Sequence, residues 1–213
     1  MSYLVFDTET TGLPLRELQI RGWGTMYHPK KIKAYDPSRV VQISWIVYNK
    51  DGKSLKERDY IIKPDGFEVK NTRFHGITTE IANEKGVDFQ KAIKKMKKDI
   101  KTHEVETLVA HNIEFDINVT LSEIYRRELK YKKIFKNLER ADTMYMGQDV
   151  TKINTGYRNY KYPKLVELYE HIKAKTGKGL DEKITYHNSL SDVRVCGYCY
   201  EYISRTFRSG NDF

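Results

Sequence analysis

Cysteine is scarce in this sequence: Cys196 and Cys199 are the only two, too few for a disulfide framework, and their rarity favours a reducing compartment. No apolar run approaches the length of a membrane span, and the first residues lack the basic and apolar regions of a signal peptide. These absences speak against a membrane-spanning or secreted protein and favour a cytoplasmic setting, or a nuclear one in a eukaryote. Internal repeats, low-complexity stretches and linkers are also missing. The 213 residues therefore read as one domain over 1–208 with a short tail, 209–213, and are enough for one substantial core. Acid is in deficit: 29 Asp and Glu stand against 38 Lys and Arg, for a formal net charge of +9 and a pI near 9.3. Such an excess favours a polyanionic partner such as nucleic acid, because Lys and Arg neutralise phosphate. Nothing specifies an oligomeric state.

What is present begins with Tyr3-Leu4-Val5-Phe6-Asp7-Thr8-Glu9-Thr10-Thr11-Gly12, an apolar run ending in two acids and a glycine turn. In a strand, side chains alternate faces, so Asp7 and Glu9 share one. Buried carboxylates require a cation or a hydrogen-bond partner, and no Lys or Arg adjoins them in sequence. Two readings stand open for the stretch alone: a divalent-cation ligand pair, or acids marking a strand end that runs into a solvated turn.

The remaining pattern is α/β. A long polar segment to Ser38 interleaves Arg16, Arg21, Lys30, Lys31 and Lys33 with Trp23, Met26 and Tyr27; two readings stand open, aromatic and basic residues that stack on and clamp a single strand, or an ordered surface loop with Trp23 tucked onto the core. Arg39–Tyr48 and a run ending at Ile61 and Ile62 flank the turn signal Asn49-Lys50-Asp51-Gly52, which predicts a hairpin beside the opening strand. Residues 64–77 read as irregular, Thr78 as the cap of a short helix that Gly86 ends, and Asp88 as the cap of a lysine-faced helix with Phe89, Ile93, Met96 and Ile100 inward. A strand at Thr107–Ala110 precedes a helix over 114–129, and a strand is expected at Ala141–Met144. A loop over 147–160 follows, and Pro163 is placed in the first turn of a helix to Lys175. The last helix spans Ser189–Phe207 with Leu190, Val193, Cys196 or Gly197, Tyr200, Ile203 and Phe207 inward. Its Cys-Gly-Tyr-Cys lacks a second pair for zinc and lies mid-helix, so packing is its expected role. Early pairing strands followed by strand-helix alternation predict a mixed sheet with flanking helices.

Further acids and a histidine follow the opening pair. In His111-Asn112-Ile113-Glu114-Phe115-Asp116, Asp116 falls in the first turn of a helix, where an acid also serves the helix dipole. In His187-Asn188-Ser189-Leu190-Ser191-Asp192, the acid falls in a helix start where it can close a capping box with Ser189, and the histidine lies on a loop. Taken in order, D-x-E, N-x-x-F-D and H-x-x-x-x-D resemble the three motifs of the DEDDh exonuclease family, which includes the DNA polymerase proofreading subunit. The sister branch places Tyr where this chain has Asn188. The resemblance spans Asp7 to Asp192 and implies a ribonuclease-H-like fold acting as a 3′-to-5′ exonuclease on DNA, with single strands favoured, or on RNA, releasing nucleoside 5′-monophosphates. It also implies two divalent cations, Mg²⁺ or Mn²⁺, held by Asp7, Glu9, Asp116 and Asp192, with His187 as general base. Hard cations suit oxygen ligands, and imidazole accepts a proton near neutral pH.

By the same resemblance, Thr10, Thr11, Leu13, His75 and Ile77 contact the terminal nucleotide, and Asn112 orients the helix start. Polymerase association is compatible with the family. Two other functions fit the pattern: an RNA-trimming exoribonuclease with the same site, and a non-catalytic nucleic-acid-binding or polymerase-docking module. Four converging acids argue against the last.

Overall fold

The computed structural model describes residues 2–17, 24–156, 159–181, 184–185 and 187–208; Arg21, Trp23 and the tail 209–213 lie outside them. Five strands form one mixed sheet in the order β3-β2-β1-β4-β5, with ranges Ser2–Thr10, Val40–Asn49, Ser54–Ile61, Val105–Ala110 and Glu139–Asp142 for β1 to β5. β1, β2 and β3 pair antiparallel, whereas β4 and β5 continue the other side in parallel. The expected hairpin and mixed sheet are both present.

β1 is central because its apolar run covers both faces. Leu4 and Phe6 enter a core with Trp45, Val47, Ile93 and Met96, and Tyr3 and Val5 enter another with Ile46, Val109, Val193 and Cys196. The first core is roofed by α3, Phe89–Thr102, and α4, Ile113–Arg126; the second by α7, Ser189–Arg208. Asp88 caps α3 by accepting from the Lys91 N–H at 3.2 Å. Thr78 likewise caps α2, Thr79–Lys85, through the Ile81 N–H at 3.2 Å.

Four local expectations need correction. Residues 64–77 include a single turn of helix, α1, Thr72–His75, which starts after Asn71 in the left-handed region (φ 58°) and stops at Gly76 (φ 71°). The strand β5 ends at Asp142, and residues 143–151, read as strand end and loop, form helix α5, Thr143–Thr151. The Asp142 carboxylate accepts from the Met144 N–H at 2.9 Å and so starts that helix. Pro163 precedes rather than enters α6, Leu165–Thr176, whose cap position is Lys164. Finally, Phe207 is 55% exposed, because the buried face of α7 ends at Ile203.

α7 is buried on two sides. Val193 and Cys196 face the sheet, while Val195, Cys199 and Ile203 pack with Leu168 and Ile172 of α6. Both cysteines are free thiols serving this packing. Gly147 lets α5 approach α6 closely, since a Cβ there would stand 2.9 and 3.0 Å from the Leu168 methyls and 3.0 Å from Pro163 Cγ. Gly147→Ala is therefore expected to destabilise the protein by about 1 to 3 kcal/mol through overpacking. A lower urea midpoint at unchanged slope would report it.

Candidate metal centre

The end of β1, the start of α4 and the start of α7 meet at one place. Strand alternation turns Asp7 and Glu9 toward α7, and the first turn of α7 brings Asp192 to meet them. One carboxylate oxygen from each of Asp7, Glu9 and Asp192 lies within 4.8 Å of the others. Asp116 stands outside this triple. It is 2% exposed, and its Oδ1 accepts from the Thr8 N–H at 2.9 Å and the Thr8 hydroxyl at 2.6 Å. Thr8 alternates with Asp7 and Glu9 along β1, and Asp116, bonded to it, is still close enough to Asp7 to feel its charge.

The start of α7 is locked by its own side chains. Asn188 Oδ1 accepts from the Ser191 N–H at 3.2 Å, and the Ser189 hydroxyl donates to the Asp7 carbonyl oxygen at 2.8 Å. Ser189 thus ties helix to strand, in place of the capping-box role open to it from sequence. His187 adopts a left-handed backbone (φ 63°), and its N–H donates to Asp192 Oδ2 at 3.1 Å. The exposed His187 ring lies 5.8 Å from that of Phe74, which is 49% exposed.

Crowded, desolvated carboxylates hold their protons. Burial pushes Asp7 up to about 7, against hydrogen bonds from Ser189 and Thr8. Burial first, then the charges of Asp7 and Asp192, push Glu9 up to about 8. Asp192 rises to about 8 through burial and the Asp7 charge, and Asp116 rises well above the usual carboxylate range for the same two reasons. Among the described residues, none of the four acids forms an ion pair with Lys or Arg, and Asp192 Oδ1 is buried without a hydrogen-bond partner. An orphaned buried oxygen amid three convergent carboxylates fits a hard divalent cation, which requires oxygen ligands.

The start of α4 depends on a residue to which no sequence motif points. Asp142 Oδ1 accepts from the Asn112 N–H at 2.8 Å and Oδ2 from the Ile113 N–H at 3.1 Å, fixing the left-handed Asn112 (φ 69°) from which α4 departs. His111 is half-buried, and desolvation pushes its pKa down to about 4. Its ring nitrogens lie 3.0 Å from Thr143 Oγ1 and 3.0 Å from the Pro163 carbonyl oxygen, which binds the 163–164 segment to the end of β4.

Beyond Glu9 the chain borders a cavity of about 550 Å³, lined among others by Thr11, Leu13, Arg39 and Asn71. Leu13 is 70% exposed there; Thr11 is 5% exposed, donating its hydroxyl to the Pro37 carbonyl oxygen at 2.9 Å. The Thr10 hydroxyl donates to the Gly12 carbonyl oxygen at 2.8 Å. His75 Nδ1 accepts from the Ile77 N–H at 3.1 Å, and burial lowers the His75 pKa. Ile77 is 5% exposed, packed with Val41, Val69 and Ala82 beneath the loop. Phe74 is exposed on that loop, with Arg73 over its ring, whereas the sequence pattern points to its neighbour His75.

The RNase T family model, described as an exonuclease family, matches residues 4–200. None of the curated proteins matches the chain. Among solved structures, E. coli Exonuclease I in complex with a dT13 oligonucleotide is similar with a TM-score of 0.65 at 18% identity, covering 98% of this chain and 42% of that one. An Exonuclease I from Methylocaldum szegediense gives 0.65 at 18%, covering 99% and 43%. The zinc-ion-bound E. coli Exonuclease I complex with single-stranded DNA gives 0.64 at 17%, covering 98% and 41%. The likeness is one of fold, and the chain spans less than half the length of these proteins.

Proposed function

Because the chain belongs to the RNase T exonuclease family, we propose that it removes nucleotides one at a time from the 3′ end of a nucleic-acid strand, releasing nucleoside 5′-monophosphates. The observation that carries this reading is the convergence of Asp7, Glu9 and Asp192 on one point, with Asp116 held beside Asp7 and His187 hydrogen-bonded to Asp192. A site built only to bind phosphate has no use for four acids that repel it.

In this reading Asp7, Glu9, Asp116 and Asp192 hold two divalent cations, Mg²⁺ or Mn²⁺. When bound, such ions activate water and stabilise the attacking and leaving oxygens of an in-line displacement. The chain's own residues do the rest. Thr8 fixes the Asp116 carboxylate, Ser189 fixes the register of α7 against β1, and the His187 backbone fixes Asp192. The His187 imidazole, on the exposed side of the cluster, takes the proton of the attacking water, as a neutral imidazole does near neutral pH. Leu13 and the Thr11-lined cavity receive the terminal nucleotide, Phe74 packs against its base or sugar, Thr10, His75 and Ile77 support these elements from behind, and Asn112 orients the start of α4. The oligonucleotide complexes of Exonuclease I support single-stranded DNA as the preferred substrate.

A strand labelled at its 5′ end, incubated with Mg²⁺ or Mn²⁺, is expected to shorten through every intermediate length, with parallel DNA and RNA strands reporting the sugar preference. Early internal cuts, or indifference to a blocked 3′ hydroxyl, would count against the proposal.

A further inference from the structure

Away from the acid cluster, the C-terminal end of α4 carries a different assembly. Tyr125 is partly exposed, and two ammonium groups approach its ring: Lys30 Nζ at 5.8 Å and Lys132 Nζ at 5.6 Å from the centroid. The His28 ring lies 6.3 Å away, tilted by 50°. These side chains come from three separate parts of the chain: the segment before β2, α4 itself, and the turn after α4. His28, Lys30 and Lys132 are exposed. The His28 Nδ1 accepts from the Lys30 N–H at 3.1 Å, which sets both residues on one turn.

Two of the acids nearby are committed elsewhere. Glu17 pairs with Lys31 at 3.4 Å, and Asp36 pairs with Arg126 at 2.7 Å. Among the described residues, neither Lys30 nor Lys132 forms an ion pair with a carboxylate. Lys33, Lys130, Lys133 and Lys136 add exposed positive charge in the same two segments, against the exposed Glu128. Like charges gathered at one ring repel one another unless an anion joins them. Lysines beside a partly exposed aromatic ring are the elements with which proteins hold single-stranded nucleic acid, through phosphate pairing and base stacking.

We propose that His28, Lys30, Tyr125 and Lys132 form a second contact for a single nucleic-acid strand, holding it on the 5′ side of the residue that is removed. This rests on the exonuclease reading above. Tyr125 lies nine residues beyond Asp116, about 14 Å along the axis of α4. A stacked strand advances about 3.4 Å per phosphate, so the surface engages phosphates about four or more nucleotides from the cut end. Short substrates end before reaching it, and long ones are retained between successive cuts.

The test compares the native protein with the double variant Lys30→Gln plus Lys132→Gln and with the charge-preserving Lys30→Arg plus Lys132→Arg. Each is assayed on strands of about 20 and about three nucleotides. For the Gln pair, kcat/KM on the long strand is expected to fall about tenfold relative to that on the short one. The salt slope of long-strand binding is expected to fall by about 1.4, the value for two lost phosphate contacts on a single strand. The Arg pair should restore both. An unchanged long-to-short ratio and salt slope in the Gln pair overturns the second contact while leaving the exonuclease reading intact. Native protein that binds the long strand with the expected salt slope yet shortens neither strand overturns the exonuclease reading instead. If the native protein binds anionic vesicles or an acidic peptide through these lysines but not the long strand, the occupant proposed here is wrong.

Discussion

His187→Ala is expected to slow nucleotide release by about 10²- to 10⁴-fold, the usual contribution of a positioned general base. The loss should fall on kcat, with KM little changed, since His187 is assigned proton transfer and the binding of the strand to other groups. Metal affinity should be retained, because the carboxylates of Asp7, Glu9 and Asp192 converge without the imidazole. The His187 contact to Asp192 is made by its backbone N–H, which alanine keeps. The left-handed backbone at 187 (φ 63°) is costlier for alanine than for asparagine, so His187→Asn is the companion variant that separates strain from chemistry. Both variants should lose turnover alike. If His187→Asn works at the native rate and with the native pH profile, the imidazole is not the base.

The second large effect is on stability, and its sign is opposite to that of an ion-paired carboxylate. In the unfolded chain Asp and Glu titrate near 3.8 and 4.5, whereas in the fold Asp7 is pushed up to about 7, and Glu9 and Asp192 to about 8. Between those limits the folded protein binds more protons than the unfolded one. The stability contributed by these protons is fully present below the unfolded values and is lost as pH rises through the folded values. In chelator, unfolding free energy should therefore drop from about pH 4 to about pH 8. A tenfold change in proton affinity is worth about 1.4 kcal/mol, so a cluster of this kind represents a loss on the order of several kcal/mol. Urea unfolding at pH 5 and pH 8 measures it. Stability that is flat or rises over this interval would show that the acids are not crowded in the metal-free protein.

How much of this was legible in the sequence follows from the range of the interactions. Alternation along β1 puts Asp7 and Glu9 on one face, and the helix starts put Asp116 and Asp192 near loop ends; both are local patterns. That Asp7, Glu9 and Asp192 converge, with Asp116 near enough to Asp7 to feel its charge, was readable only through the resemblance to an ordered set of motifs. Thr8 was missed because its role is a contact to Asp116 across 108 residues, with nothing local to signal it. Asp142 does end strand β5, as its neighbours predict, but that its carboxylate starts both α4 and α5 is a tertiary fact. An acid followed at once by Thr143, Met144 and further residues able to continue a helix is the signal that could have revealed the cap. Phe74 carries no signal of its own, because its exposure depends on the turn at Gly76 and the burial of Ile77, which are tertiary facts. The side chains of Thr11 and Ile77 are buried, which sequence distance from the acids cannot tell.

The most direct measurement of the central claim, that these acids form one metal site, is a melting-temperature titration of the native protein and Asp192→Asn with Mn²⁺ at fixed ionic strength and pH 8, starting from chelator. Asp192→Asn should melt higher than the native protein in chelator, because it removes one repelling carboxylate, and should have lost nuclease turnover. Added Mn²⁺ should raise the native melting temperature progressively, since an ion bound only by the folded state stabilises it by mass action, and should raise that of the variant much less. A native melting temperature indifferent to Mn²⁺, together with an Asp192→Asn variant no more stable than native in chelator, would contradict a shared metal site.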